Sequence, residues 1–90
     1  MTIILDSETT GLIPRQDELL QLAIIDDQEN VLFNEYIRPV RKTEWKKAES
    51  INGISPQMVK DKQPISAFKD QIQEIINSAT GVHVRNAEIL

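Results

Sequence analysis

An α/β fold is what this sequence predicts: a three-stranded antiparallel meander, then a crossover helix leading to a fourth strand parallel to the first. Three observations carry the expectation. Three apolar runs, Ile3-Ile4-Leu5, Leu19 to Ile25 and Val31 to Ile37, occupy the first part of the chain and are separated by short polar loops. Short connections between consecutive strands imply antiparallel neighbours. Phe68, Ile72, Ile75, Ile76 and Ala79 then recur at three- and four-residue spacing, the period of a helix with one buried face. Finally, Val82-His83-Val84 follows Gly81, and a strand reached through a helix is placed parallel to an earlier one.

Each element has its local reason. Ile3-Ile4-Leu5 is short and β-branched, as a buried strand requires, and the polar residues after it close the run. Pro14 and its polar neighbours break any periodicity over 13–17, which reads as a loop. The nearly continuous apolar run Leu19 to Ile25 predicts a central strand. Asp26-Asp27-Gln28-Glu29-Asn30 is turn chemistry. In the third strand Phe33, Glu35 and Ile37 alternate with Leu32, Asn34 and Tyr36, a mixed polarity that suits a sheet edge.

Pro39 ends that strand, and Thr43 is the expected N-cap of a short helix with Glu44 in its first turn and Trp45, Ala48 and Ile51 as its apolar stripe. Asn52-Gly53 stops it. Ser55-Pro56 restarts a helical turn, with Ser55 as cap, Pro56 in the first position and Met58 and Val59 as anchors. Ser66 is the expected cap of the crossover helix and Gly81 its terminator.

Ninety residues hold one domain, with a limited interior. The chain has no cysteine, so disulfides and thiolate metal sites are excluded, in keeping with a reducing compartment. Neither a secretory leader nor a run of membrane-spanning length is legible, and a cytoplasmic protein is expected. Aromatic residues make up only 4%, too few for an extended base-stacking platform. The net charge of −4 opposes charge-driven wrapping of nucleic acid. Arg38, Arg41, Lys42, Lys46 and Lys47 are half of the ten basic residues, and the cluster reads as a solvated loop and helix face rather than a phosphate-contacting patch.

The chemistry concentrates directly after the first apolar run. Asp6 and Glu8 are two apart, so in extended chain they project from the same face. Two adjacent carboxylates repel, and a divalent ion that prefers hard oxygen donors, magnesium or manganese, relieves the repulsion. Thr9, Thr10 and Gly11 add hydroxyls and a backbone that a ligand can approach closely.

The segment Asp6-Ser7-Glu8-Thr9-Thr10-Gly11-Leu12 resembles the first motif of the DEDD, or DnaQ-like, 3′–5′ exonucleases, which include the polymerase III epsilon and ribonuclease T groups. The likeness extends to Asp17 through Ala23 and to Ile51-Asn52-Gly53-Ile54-Ser55-Pro56-Gln57-Met58-Val59. It implies part of a ribonuclease H-like fold. It also implies that Asp6 and Glu8 are catalytic and ligate two divalent ions for phosphodiester hydrolysis at a single-stranded DNA or RNA 3′ end. Thr9, Thr10, Gly11 and Leu12 would hold the terminal nucleotide, with Ile54 and its neighbours packed on its base or sugar. Further on, the family pattern H-N-A-x-F-D is matched at Asn86 and Ala87 only, with Leu90 where the aspartate belongs and Glu88 as a displaced substitute. No counterpart of the last motif follows, and His83 lies upstream of where the general base belongs, so it reads as a surface histidine.

The expectation is therefore a C-terminally truncated exonuclease-like domain over residues 1–90, with at most one weak metal site and little or no activity by itself. Missing helices would leave apolar strand surface that a homo-oligomer or a complementary fragment covers. Two other readings stand beside it: a noncatalytic remnant that serves binding or assembly, and a chance resemblance in which Asp6 and Glu8 merely end a strand and cap a turn.

Overall fold

In the computed structural model, which describes residues 1–85, four strands form one mixed sheet in the order β3-β2-β1-β4. Strand β1 (Thr2–Thr9) pairs antiparallel with β2 (Leu19–Asp26), and β2 with β3 (Val31–Tyr36). Strand β4 (Gly81–Val84) runs parallel to β1, with Thr2 opposite Gly81 and Leu5 opposite Val84. The predicted meander and crossover are both present.

β1 is longer than its apolar core. It continues through both acids because β2 continues beside them: Asp6 faces Ala23, Ser7 faces Leu22 and Glu8 faces Gln21. Ladder hydrogen bonds use the backbone, so polar side chains do not end the strand. A register shift between Glu8 and Thr9 closes the regular part.

Alternation divides β1 between two faces. Ile3 lies on one face with Leu22, Ile24 and Phe33 in a buried cluster, and Leu5 packs against it. The crossover helix α3 (Lys69–Ser78) covers this cluster with Ile72, Ile75 and Ile76, and Phe68 meets Phe33 edge-on with ring centroids 5.2 Å apart. Each large side chain buried here stabilises the fold by roughly 1.5–3 kcal/mol. A second cluster joins Leu20 to Trp45, Ile54 and Val59, drawn from the helices α1 (Lys46–Asn52) and α2 (Pro56–Val59) and the residues beside them. The expectation that these strands leave apolar surface open holds in part: Ile3, Leu20, Leu22 and Ile24 are buried within the chain, whereas Ile4, Leu5, Leu19 and Ile25 are only half-buried.

Several local expectations also change. Thr43 does not cap α1; Trp45 holds that position without a side-chain cap, because its ring is buried and its Nε1 donates to the Ile54 carbonyl at 2.7 Å. Ile51 leaves the stripe and is 80% exposed. Gly53, at φ 74°, ends α1 as expected. Ser55 caps α2, accepting from the Met58 amide at 3.3 Å, while Val59 is buried and Met58 is partly exposed. Ser66 does not cap α3, since a 3-10 turn (Ile65–Phe68) leads into the helix. Gly81 is the first residue of β4 and not the helix terminator; Ala79 closes the helix. Among the described residues no helix is long and apolar enough to cross a membrane.

Candidate active site

The face of β1 opposite α3 carries Ile4, Asp6 and Glu8. Both acids therefore point to one side, as their spacing predicts, and the residues facing them on β2, Ala23 and Gln21, are small or polar. The Asp6 side chain is 47% exposed. Among the described residues its carboxylate has one cationic partner, Arg85, with Nη1 3.7 Å from Oδ2.

Past Glu8 the chain turns into a loop that Asp17 fastens. The Asp17 carboxylate accepts from the Thr10 hydroxyl at 2.8 Å and from the Ile13 amide at 2.9 Å, and Lys42 Nζ lies 3.7 Å away. The Thr10 hydroxyl in turn accepts from the Glu18 amide at 3.0 Å. Burial pushes the Asp17 carboxyl up, but the Ile13 amide, the Thr10 hydroxyl and the Lys42 charge together hold it below the usual range. Glu18 behaves alike: burial raises it, and the successive amides of Val40, Arg41 and Lys42 outweigh that by donating to its carboxylate.

Together the β1 end, this loop and α1 enclose a cavity of about 470 Å³. Glu8, Thr9, Thr10, Gly11 and Leu12 line one side, with Lys47, Ile51 and Asn52 on the other. Asn52 ties the two walls together, donating through Nδ2 to the Thr9 carbonyl at 3.2 Å and accepting at Oδ1 from the Ile54 amide at 2.9 Å. Leu12 and Ile51 are 72% and 80% exposed, an apolar rim suited to a planar base or a sugar.

Thr9, Thr10, Gly11, Leu12 and Glu8 are thus brought together, and Asp6 stands two residues back on the same face as Glu8. Ile54 is not among them. It is 3% exposed in the Trp45 cluster, and Ile51, three residues earlier in the last turn of α1, lines the cavity instead. Of the basic cluster, Arg41 and Lys42 pair with Glu18 and Asp17, Arg38 donates to the Lys62 carbonyl, and Lys47 alone lines the cavity. His83 is exposed on β4. Asn86 through Leu90, which include Glu88 and the position of the family's third acid, lie outside the described residues. A larger apolar groove, about 570 Å³ between α3 and β4, contains no acid and is not the site.

Asp17, Lys47, Ile51 and Asn52 also line this cavity, a place that the sequence reading does not assign to them. For Asp17 the available signal was the turn composition around it; for the other three nothing local distinguishes a cavity wall from a helix surface.

A family model described as exonuclease (RNase_T) matches residues 3–90. The chain belongs to this exonuclease family. It is 38% identical over 82 residues to the DNA polymerase III subunit epsilon of Rickettsia conorii, covering 86% of this chain and 35% of that protein. It is 32% identical over 81 residues to the 3′-5′ exonuclease DinG of Bacillus subtilis, covering 86% of this chain and 9% of that one. The structure superimposes on E. coli Exonuclease I, solved in complex with a dA16 oligonucleotide, with a TM-score of 0.74 and 28% identity over 94% of this chain and 20% of that one. The sheet is accordingly that of the exonuclease, ribonuclease H-like fold, and the chain spans at most about a third of these relatives.

The donor set fits a hydrated ion. Two half-exposed carboxylates on one face are hard ligands of the kind magnesium and manganese take while keeping several waters. Among the described residues no group of three or more His, Cys, Asp or Glu is placed to hold a metal.

Proposed function

We propose that this chain carries the first part of a metal-dependent 3′–5′ exonuclease site acting on single-stranded DNA or RNA ends. The family is typically metal-dependent. Asp6 and Glu8 would hold magnesium or manganese, which supplies Lewis-acid polarisation of a phosphodiester and a more acidic bound water. Thr9, Thr10, Gly11 and Leu12 bind the terminal nucleotide, Ile51 rather than Ile54 shields its base or sugar, and Lys47 faces its phosphate. The observation that carries the reading is the cavity between the β1 end and α1, which has Glu8 on its wall and the Thr-Thr-Gly-Leu segment as its floor.

With two acids and no third His, Cys, Asp or Glu grouped with them among the described residues, one weakly held ion is expected in place of the family's two, and hydrolysis by these residues alone is expected to be weak or absent. That shortfall favours one alternative, a noncatalytic module that binds or assembles through the same fold. Self-association goes with either reading, since Val82 and Ile65 leave the groove beside β4 partly open. A monomer at micromolar concentration in light scattering would contradict it. A cytoplasmic location is proposed with it, consistent with the cysteine-free composition.

The test is a manganese titration followed through backbone resonances of the 90-residue chain. Selective broadening at Asp6 and Glu8, abolished by Asp6→Asn, is the expected result. A response that ignores Asp6→Asn would reject the metal site. Magnesium-dependent, Asp6-dependent digestion of single-stranded substrate by the same chain would reject the claim of incompetence.

A further inference from the structure

The register of β4 continues one residue past the strand. The Arg85 amide donates to the Leu5 carbonyl at 2.9 Å, which sets Arg85 beside Asp6 on the neighbouring chain segment. Its guanidinium reaches back to the carboxylate, with Nη1 3.7 Å from Oδ2. That separation is too long for a hydrogen bond, so the contact is a charge pair and not a fixed fork. Both side chains are open to water, 59% and 47% exposed, so the pair is weak and easily rearranged.

A weak cation placed on one member of an anionic pair has a definite consequence. It relieves the Asp6–Glu8 repulsion when nothing else does, and so lowers the free energy of the ion-free state. A divalent ion must then displace it, or bind in its positive field. We infer that Arg85 is a built-in counter-ion of Asp6 that competes with the divalent ion and sets how tightly that ion is held. The inference rests on the metal reading of Asp6 and Glu8 proposed above and concerns the regulation of that site.

Removing the charge should strengthen metal binding. A unit charge a few ångströms from a divalent ion, in exposed and salt-screened surroundings, changes affinity by roughly three- to tenfold. The experiment measures free manganese by electron paramagnetic resonance against the full chain, for the wild type, Arg85→Gln, Arg85→Ala and Arg85→Lys, each checked for folding by circular dichroism. The two neutral variants are expected to bind manganese more tightly than the wild type, by a margin that shrinks as salt is added, while Arg85→Lys keeps the wild-type affinity.

Unchanged or weaker binding in both neutral variants would overturn the inference. If Asp6→Asn still abolished binding in that case, the metal reading would survive. An Arg85→Lys chain that behaves like Arg85→Gln would also overturn it, because the effect would not be one of charge. If no chain showed binding sensitive to Asp6→Asn, the metal reading would fall and the inference with it.

Discussion

Gly11→Ala is the substitution that tests how the candidate site is held open. A Cβ at Gly11 would lie 2.6 Å from Asp17 Oδ2, 2.7 Å from Cγ and 2.8 Å from Oδ1. Contacts that close are not tolerated, so the carboxylate or the loop must move. Moving the carboxylate is costly because it is pinned by the Thr10 hydroxyl, the Ile13 amide and Lys42, with only 7% of the side chain exposed. Hydrogen bonds to a charged acceptor contribute about 1.5–3 kcal/mol each, and the one at Ile13 is exposed enough for water to replace. The loss is therefore about one such bond and part of another, near 3 kcal/mol. Reduced entropy of the unfolded chain returns about 0.4–1 kcal/mol. The net cost is about 2 kcal/mol, or roughly 8–16 °C in Tm for a domain of this size. Thermal unfolding followed by circular dichroism measures it, for Gly11→Ala, Asp17→Ala and the double variant. Once Asp17 is truncated the clash partner is gone, so the double variant should be more stable than Asp17→Ala alone by the entropic return of about 0.4–1 kcal/mol. Additive losses, or a Gly11→Ala chain as stable as the wild type, would refute the account of the loop.

Trp45→Phe removes the buried donor to the Ile54 carbonyl and should cost about 1–3 kcal/mol, read as a lower urea midpoint at unchanged slope; a midpoint within error of the wild type would mean that water replaces the indole. Acid should destabilise the fold, and the sign follows from three carboxyls. The Asn30 side chain and amide hold Asp26 down, and burial of Asp17 and Glu18 is outweighed by the donors around them. Each folded value lies below the ordinary one, so the unfolded chain takes up protons first as pH falls. Their contribution is complete above the ordinary values, 4.5 for Glu18 and 3.8 for Asp17 and Asp26, and is lost below them. Urea midpoints should hold from neutral pH to about 5 and fall below it; a midpoint that rises on acidification through that window would contradict the assignment.

The sheet was legible because apolar periodicity is a local signal. Leu19 to Ile25 and Val82 to Val84 form strands as their composition predicts, and α3 buries the residues that its spacing selects. What escaped depends on partners far along the chain. Glu18 looks like any surface acid until the amides of residues 40–42 close on its carboxylate. Gly11 suggests room for a ligand in the sequence, whereas the group nearest to a side chain there is the Asp17 carboxylate of its own loop. Ile51 and Ile54 are three residues apart across the end of α1, and the sequence does not say which faces inward. The indole of Trp45 decides it by taking the Ile54 carbonyl, which draws Ile54 into the core and leaves Ile51 at the cavity.

The aim of the two acids follows from the core and not from the acids themselves. Ile3 must face α3, because no other position on β1 so completes the cluster with Leu22, Ile24 and Phe33. With a side-chain period of two, that requirement alone directs Asp6 and Glu8 to the opposite face. A slip of one residue against β2 would put both carboxylates under α3 and push Ile3 and Leu5 into water, reversing every favourable term at once. The pairing of Leu5 with Ile24 and of Ile3 with Asp26 is therefore as much a part of the site as its ligands. The register shift falls only after Glu8, where the strand has delivered both acids and the loop begins.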